Sequence, residues 1–169
     1  MSLTFVLGGA RSGKTSYALR EALRRPAKRR LMIATAQALD EEMAARIARH
    51  QAERGEDWTT VEAPLALPQA VRDLRAGDVA VIDCLTLWLS NLMMADMEIA
   101  PATAELVEAL AASPAETFVI SNEVGQGIVP DNPLARRFRD EAGWMHQALA
   151  AAADRAVMVV AGLPVVLKG

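Results

Sequence analysis

One short segment near the start narrows what this chain can become more than any other, Gly8-Gly9-Ala10-Arg11-Ser12-Gly13-Lys14-Thr15. It matches G-x-x-x-x-G-K-S/T and follows directly on the aliphatic run Thr4 to Leu7. A helical pattern, Thr15 to Arg24, begins where it ends and stops ahead of Pro26. Strand, glycine-bearing turn and helix in that order build a cradle. The backbone N–H groups of the turn, with the helix N-terminus behind them, surround a polyphosphate. Lys14 then reaches the outer phosphates, and the Thr15 hydroxyl is placed to ligate Mg²⁺.

The rest of the chain repeats the alternation that such a segment needs. Four more aliphatic runs of strand length occur, Arg30 to Ala34, Val79 to Ile82, Thr117 to Ile120 and Ala156 to Val160. They are near-continuous in apolar character, as in parallel strands covered on both faces. Helical patterns lie between them: Asp40 to Arg54, with Met43, Ile47 and His50 on one stripe; Leu85 to Met97; Thr103 to Ala111, with Pro101 as the separator; and Pro133 to Ala153, with Leu134, Phe138, Met145 and Leu149 at core spacing. An α/β fold with a mainly parallel sheet and helices on both faces follows. Val165 to Lys168 comes too soon after Ala156 to Val160 for a crossover, so the end is expected as an antiparallel hairpin. With 169 residues, 52% of them hydrophobic, residues 1–169 are expected as one domain with an aliphatic core.

Composition removes several function classes. Aromatics are 4% and the net charge is −3, which argues against a nucleic-acid partner. No apolar run approaches the roughly 18 residues of a membrane span, and the N-terminus has no basic leader pattern. Cys84 is the only cysteine, which favours a reducing, cytoplasmic setting, and it reads as a packing residue rather than a reactive thiol.

A phosphate loop also needs an acid near the metal, at the end of a neighbouring hydrophobic strand, and Val79-Ala80-Val81-Ile82-Asp83 supplies it. The pattern leaves kinase, ATPase and GTPase open, although no Asn-Lys-x-Asp guanine-reading motif is present and Asp140-Glu141-Ala142-Gly143 falls inside a helical pattern. His50 has two readings. It is either a boundary residue packed on the core, or a neutral imidazole that attacks the α-phosphate of a nucleoside triphosphate and holds the nucleotide as a phosphoramidate. Spacing does not choose between them. Ser121 to Asn132, Ser-Asn-Glu-Val-Gly-Gln-Gly-Ile-Val-Pro-Asp-Asn, puts polar residues and two glycines where ligands of open α/β sheets bind, or makes an ordinary turn and helix cap. Arg136, Arg137 and Arg139 suit phosphate clamps or a solvated helix face.

Taken together, Gly-Gly-Ala-Arg-Ser-Gly-Lys-Thr at 8 to 15, Ile-Ala-Thr-Ala at 33 to 36, the Asp40 to Arg54 helix with its histidine, Asp-Cys-Leu-Thr-Leu-Trp-Leu-Ser-Asn at 83 to 91, Ser-Asn-Glu-Val-Gly from Ser121 and Leu-Ala-Arg-Arg-Phe-Arg-Asp from Leu134 resemble the bifunctional adenosylcobinamide kinase / adenosylcobinamide-phosphate guanylyltransferase family of cobalamin synthesis. The resemblance covers essentially the whole chain. It implies a RecA-like P-loop NTPase fold, a homo-oligomer with a trimer as the expected form, and two activities. A nucleoside triphosphate, ATP or GTP, phosphorylates the aminopropanol hydroxyl of adenosylcobinamide. GTP then guanylylates a histidine, matched here by His50, and the GMP passes to adenosylcobinamide phosphate to give adenosylcobinamide-GDP. Catalysis is expected from His50, Lys14 and Asp83, with Thr15 and Asp83 at the metal. Nucleotide contacts are expected from Gly8, Gly9, Ala10, Arg11, Ser12, Gly13, Lys14 and Thr15, from Ala34, Thr35 and Ala36, from Gln51, Ala52, Glu53 and Arg54, and from Glu62 and Cys84. The chain departs from the family pattern at Gln126 and His146 and is short between Ala95 and Ala104. His146 is thereby a rival to His50, although it lacks the family's flanking motif. Two other readings remain, a plain small-molecule P-loop kinase without a covalent intermediate and a nucleotide-dependent switch.

Overall fold

The structure, a computed structural model, describes residues 2–37 and 57–169. Its elements run β1 (Ser2–Gly8), α1 (Lys14–Leu23), β2 (Arg29–Ala34), β3 (Trp58–Glu62), α2 (Leu67–Arg72), β4 (Asp78–Asp83), α3 (Leu85–Met94), α4 (Ile99–Ala112), β5 (Glu116–Asn122), α5 (Pro133–Ala152), β6 (Arg155–Val160) and β7 (Leu163–Lys168). The strands form one sheet in the order β3-β2-β4-β5-β1-β6-β7. Every pairing is parallel except β6 with β7, which is antiparallel as the short connection requires.

The near-continuous apolar strands bury both faces. In β4, Ala80 and Ile82 point to one side and Val79 and Val81 to the other; in β1, Leu3 and Phe5 oppose Val6. The first side is the thicker layer, where Leu67, Leu85, Trp88, Leu106, Met145 and Leu149 from α2, α3, α4 and α5 pack together. The second is covered by α1 through Tyr17, Ala18 and Ala22. Each fully buried large aliphatic contributes about 1.5–3 kcal/mol relative to exposure.

Local chemistry sets the helix ends. α3 stops at Met94 because Asp96 turns left-handed (φ 53) and Met97 N–H bonds back to Leu92 O at 2.9 Å, satisfying a carbonyl the helix would leave free. The expected extension to Met97 is therefore absent. Pro101 does not separate two helices: α4 begins at Ile99, with Pro101 in its first turn, where a missing N–H costs nothing. α5 opens on Asn132, whose side chain accepts from Leu134 N and Ala135 N, with Pro133 as its first residue. Along α5, Met145 and Leu149 are in the core and Phe138 is partly buried, but Leu134 is 63% exposed despite its core spacing. The expected helix Asp40 to Arg54 lies outside the described residues.

Candidate active site

The phosphate loop leaves β1 at Gly8. A Cβ there would sit 2.5 Å from Ser12 Oγ and 2.7 Å from the backbone oxygen of Val159 on β6, so only glycine lets the loop fold back over the strand end. Arg11 (φ 53) and Gly13 (φ 93) take left-handed conformations, and Ser12 N–H closes the turn on Gly9 O at 3.3 Å. From outside, the β6–β7 turn supports the loop: Gly162 N–H donates to Ser12 O at 2.8 Å. Lys14 is buried, with its Nζ 3.0 Å from Gly9 O, so the ammonium is folded over the loop. Ser12 Oγ is buried without a hydrogen-bond partner among the described residues. A buried hydroxyl without a partner among the described residues and an ammonium folded over the same loop are groups that a phosphate oxygen would engage.

Thr15 is the first full residue of α1 beyond Lys14, and its Oγ1 donates to Asp83 Oδ2 at 3.2 Å. Sixty-eight residues apart in sequence, the hydroxyl and the carboxylate meet over the end of β5, the strand between β1 and β4. Two hard oxygens beside a phosphate cradle fit Mg²⁺, which takes one or two protein oxygens and completes its octahedron with phosphate and water. These residues would hold the ion.

The other strand ends are tied to Asp83. Thr35 N–H donates to Asp83 O at 3.2 Å; the Thr35 hydroxyl donates to Cys84 O at 2.7 Å and accepts from Cys84 N–H at 2.9 Å. Asn91 Nδ2 then donates to Thr35 O at 2.8 Å and to Pro64 O at 2.9 Å, fixing α3 to the ends of β2 and β3. Thr35 is fully buried and thus positions the edge, while Ala34 and Ala36 flank it half-buried and Glu62 ends β3 exposed, in register with Ala34. Cys84 is buried as expected of a packing residue, with its Sγ 3.1 Å from Thr86 Oγ1. Burial pushes its thiol pKa up and the Asp83 charge adds to that, so it is held as the thiol.

At the end of β5, Asn122 Nδ2 donates to Thr86 Oγ1 at 2.8 Å and Glu123 N–H to Gly8 O at 2.9 Å. These ties, and those of Thr35 and Asn91, went unassigned in the sequence; the visible sign was polar Thr86 and Asn91 inside the apolar run Leu85 to Leu92. His146, the rival histidine, is buried on α5. Its Nε2 shares a 2.7 Å hydrogen bond with Ser121 Oγ, and its ring lies 5.7 Å from that of Phe5. Burial lowers its pKa, partly opposed by the Glu123 charge. Arg136 Nη1 donates to the carbonyls of Pro130 and Asp131, closing the loop before α5, and Arg139 pairs with Asp140. The loop Gly8–Thr15, Ala34–Ala36, Glu62, Asp83 and Cys84 thus lie along the C-terminal edge of the sheet. His50, Gln51, Ala52, Glu53 and Arg54 lie outside the described residues.

Solved structures share this architecture at low identity. The flagellar accessory protein FlaH from Methanocaldococcus jannaschii superposes with a TM-score of 0.53 at 14% identity, covering 99% of this chain and 78% of that one. A KaiC-like protein from Pyrococcus horikoshii gives 0.54 at 12% identity, covering 93% and 70%. With these neighbours the fold is a RecA-like P-loop NTPase fold. Among sequences, the bifunctional adenosylcobalamin biosynthesis protein CobP of Pseudomonas aeruginosa is 47% identical over 97% of this chain and 96% of its own length. The bifunctional adenosylcobalamin biosynthesis protein CobU of Salmonella typhimurium is 41% identical over 98% and 99%. Residues 4–167 match the family described as cobinamide kinase / cobinamide phosphate guanyltransferase, and the chain belongs to that family.

Proposed function

We propose that this single domain, residues 1–169, carries out both reactions for which its family is described, at the C-terminal edge of the sheet. The observation that carries the reading is the Thr15–Asp83 contact at 3.2 Å at the end of a phosphate loop whose Lys14 ammonium is folded over it. In the kinase step, the loop N–H groups of Gly8 to Thr15 and Lys14 Nζ hold the triphosphate of ATP or GTP, Lys14 exchanging its Gly9 carbonyl for phosphate oxygen. The aminopropanol hydroxyl of adenosylcobinamide attacks the γ-phosphorus as the bond to the β,γ-bridging oxygen breaks. Thr15 and Asp83 would hold Mg²⁺, which would supply neutralisation of the charge on the phosphates. Positioning and charge compensation are the main catalytic contributions in this chemistry, which suits a site built of loop amides, one ammonium and one carboxylate.

In the second step His50 is the nucleophile: a ring nitrogen attacks the α-phosphorus of GTP, the bond to the α,β-bridging oxygen breaks and pyrophosphate leaves. GMP then passes from His50 to the phosphate of adenosylcobinamide phosphate, giving adenosylcobinamide-GDP. Ala34, Ala36, Gln51, Ala52, Glu53, Arg54 and Glu62 complete the guanine-nucleotide contacts in this reading, with the buried Thr35 and Cys84 shaping the strand ends beneath them. His146 is a poor alternative nucleophile, because its Nε2 is engaged by Ser121 and its ring is buried against Phe5.

The enzyme is further proposed to work in the cytoplasm as a homo-oligomer, a trimer in the family expectation. A single buried thiol suits a reducing compartment, and no helix of the described residues is long and apolar enough to cross a membrane. β7 is exposed along its whole length while carrying Leu163, Val165, Val166 and Leu167, the kind of apolar edge that associating chains cover.

Radiolabelled GTP tests the mechanism. Label at the α-phosphate is expected to remain on His50 as an acid-labile adduct, and label at the γ-phosphate is not. His50→Ala should lose the adduct and guanylyl transfer while retaining cobinamide phosphorylation, whereas Lys14→Ala should lose phosphorylation. Adduct that survives His50→Ala would refute the assignment, and active wild-type protein without any adduct would favour a plain kinase.

A further inference from the structure

Ser121 and His146 form a polar contact inside an apolar layer, and neither reaction above uses it. Ser121 is fully buried near the end of β5 and His146 is buried on α5; Oγ and Nε2 are 2.7 Å apart, with the Phe5 ring alongside. Stability alone does not ask for such a pair, since two apolar side chains of the same shape would serve the layer about as well. What the pair adds is direction. A satisfied buried hydrogen bond fixes where its backbone lies in a way that an apolar contact does not.

The place it fixes matters to the site. Ser121 is in register with Leu7, the residue before the phosphate loop, and Asn122 is in register with Gly8. The two residues after Ser121 carry the ties: Asn122 Nδ2 donates to Thr86 Oγ1 at 2.8 Å, and Glu123 N–H donates to Gly8 O at 2.9 Å. The Glu123 carboxylate turns back to accept from Gly125 N–H. One hydrogen bond from α5 therefore stands behind both the phosphate loop and the start of α3, which follows Asp83 after one residue.

Few charges reach the ring. β1 and α3 contain none, and Glu116 lies at the opposite end of β5, paired with Arg25. On α4, Glu105 pairs with Arg72, while Glu108 lines the outer groove with Glu141 and Trp144 of α5. Arg136 is held by the carbonyls of Pro130 and Asp131, Arg139 by Asp140, and Arg137 is exposed; Lys168 binds the carbonyls of Ala150 and Ala151 at the far end of α5. Glu123 is the charge that acts on His146, and it only partly offsets the lowering of the ring's pKa by burial.

We propose that His146 is a positioning residue for the phosphate loop: its neutral ring, accepting the Ser121 hydroxyl proton at Nε2, holds the end of β5 where Asn122 and Glu123 grip α3 and the loop. A protonated ring carries N–H on both nitrogens and can only donate, so the Ser121 hydroxyl has to turn, and the Glu123 carboxylate is drawn from Gly125 toward the imidazolium. The grip then loosens. This role rests on the reading of residues 8–15 as the nucleotide cradle and adds to it a residue outside that cradle. Because the chain departs from the family pattern at His146, the device belongs to this chain.

Binding of a fluorescent GTP analogue with Mg²⁺ reads the effect. At about pH 7.5, His146→Leu should raise the Kd about fivefold or more through loss of one buried hydrogen bond, and His146→Gln, whose amide reaches the position of Nε2, should restore it to within about twofold of wild type. As pH falls from about 7.5 to about 5, with circular dichroism showing both proteins folded, the wild-type Kd should climb relative to that of His146→Gln, which has nothing to titrate at this position. Wild-type and His146→Gln Kd values that run parallel over this range would overturn the assignment, as would a folded His146→Leu with the wild-type Kd. If His146→Leu does not fold, the imidazole ¹⁵N resonance that His146→Gln removes decides: it should move when the analogue is added to wild type, and a resonance that stays in place would refute the link. Wild-type protein that binds no analogue, or Lys14→Ala that binds it equally well, would instead refute the nucleotide cradle, and the role of His146 would fall with it.

Discussion

At the residue scale the chemistry divides into groups that face the ligand and groups that hold them there. Lys14, Ser12, Thr15 and Asp83 are of the first kind in the proposed reaction; Thr35, Asn91, Asn122 and the Ser121–His146 pair are of the second. His146 has a further consequence, because it is buried with its pKa lowered from the ordinary value of about 6.5. Below that pH the unfolded chain takes up a proton that the folded chain refuses, so the stability contributed by neutral His146 is complete above about pH 6.5 and is lost as pH falls toward its lowered folded pKa. The unfolding free energy from urea titrations between pH 7.5 and 5 should fall for wild type by up to about 1.4 kcal/mol per pH unit from this group, and the fall should shrink in His146→Asn. Asp78 does not blur the window. Its hydrogen bonds with Arg29, the main cause, hold its carboxyl below the usual range, so its contribution is lost only below about pH 4. Equal slopes in wild type and variant would show that His146 is not the titrating group.

At the scale of elements, legibility followed burial. β1, β2, β4, β5 and β6 are recognisable because their residues bury on both faces and so must be aliphatic throughout. β3 (Trp58–Glu62) is an edge strand with Thr59 and Thr60 exposed, and nothing obliges it to alternate or to be apolar. α2 spans six residues with Pro68 near its start, too short for a period to register. Leu134 departs for the complementary reason: its spacing points inward, yet no element among the described residues covers it. The phosphate loop was readable because its residues are contiguous, whereas Thr35–Cys84 and Asn122–Thr86 join residues 49 and 36 positions apart. The hairpin β6–β7 was anticipated from its short connection, but not its support of the loop through Gly162. Gly162 has φ 80, and a Cβ there would meet open space, so Gly162→Val acts through the backbone alone. Its strain of about 1–2 kcal/mol, where it is relieved by shifting the contact to Ser12 O, should weaken binding of a fluorescent GTP analogue by up to about fivefold to thirtyfold. Lower thermal stability with unchanged nucleotide affinity would show that the turn does not support the loop.

For the whole molecule, the sheet has two unlike margins. β3 ends one of them with threonines, while β7 ends the other with an exposed aliphatic strand, a hazard unless another surface covers it. If β7 is covered in the proposed homo-oligomer, charge inserted there as Val165→Lys with Leu167→Glu should leave a monomer in sedimentation velocity at micromolar concentration, where wild type sediments as the oligomer. Unchanged mass would move the contact elsewhere on the molecule. Between those margins, the strand that delivers the phosphate loop and the strand that delivers Asp83 are kept apart by β5. Two inter-strand spacings amount to roughly 9–10 Å, a width set by backbone hydrogen bonds that no side-chain substitution can alter. The reacting centre therefore has a fixed gauge, like track laid before the rolling stock. Substitutions can resize the loops and hollows around it for different acceptors, but the interval between the strand that carries the phosphates and the strand that carries the acid stays constant.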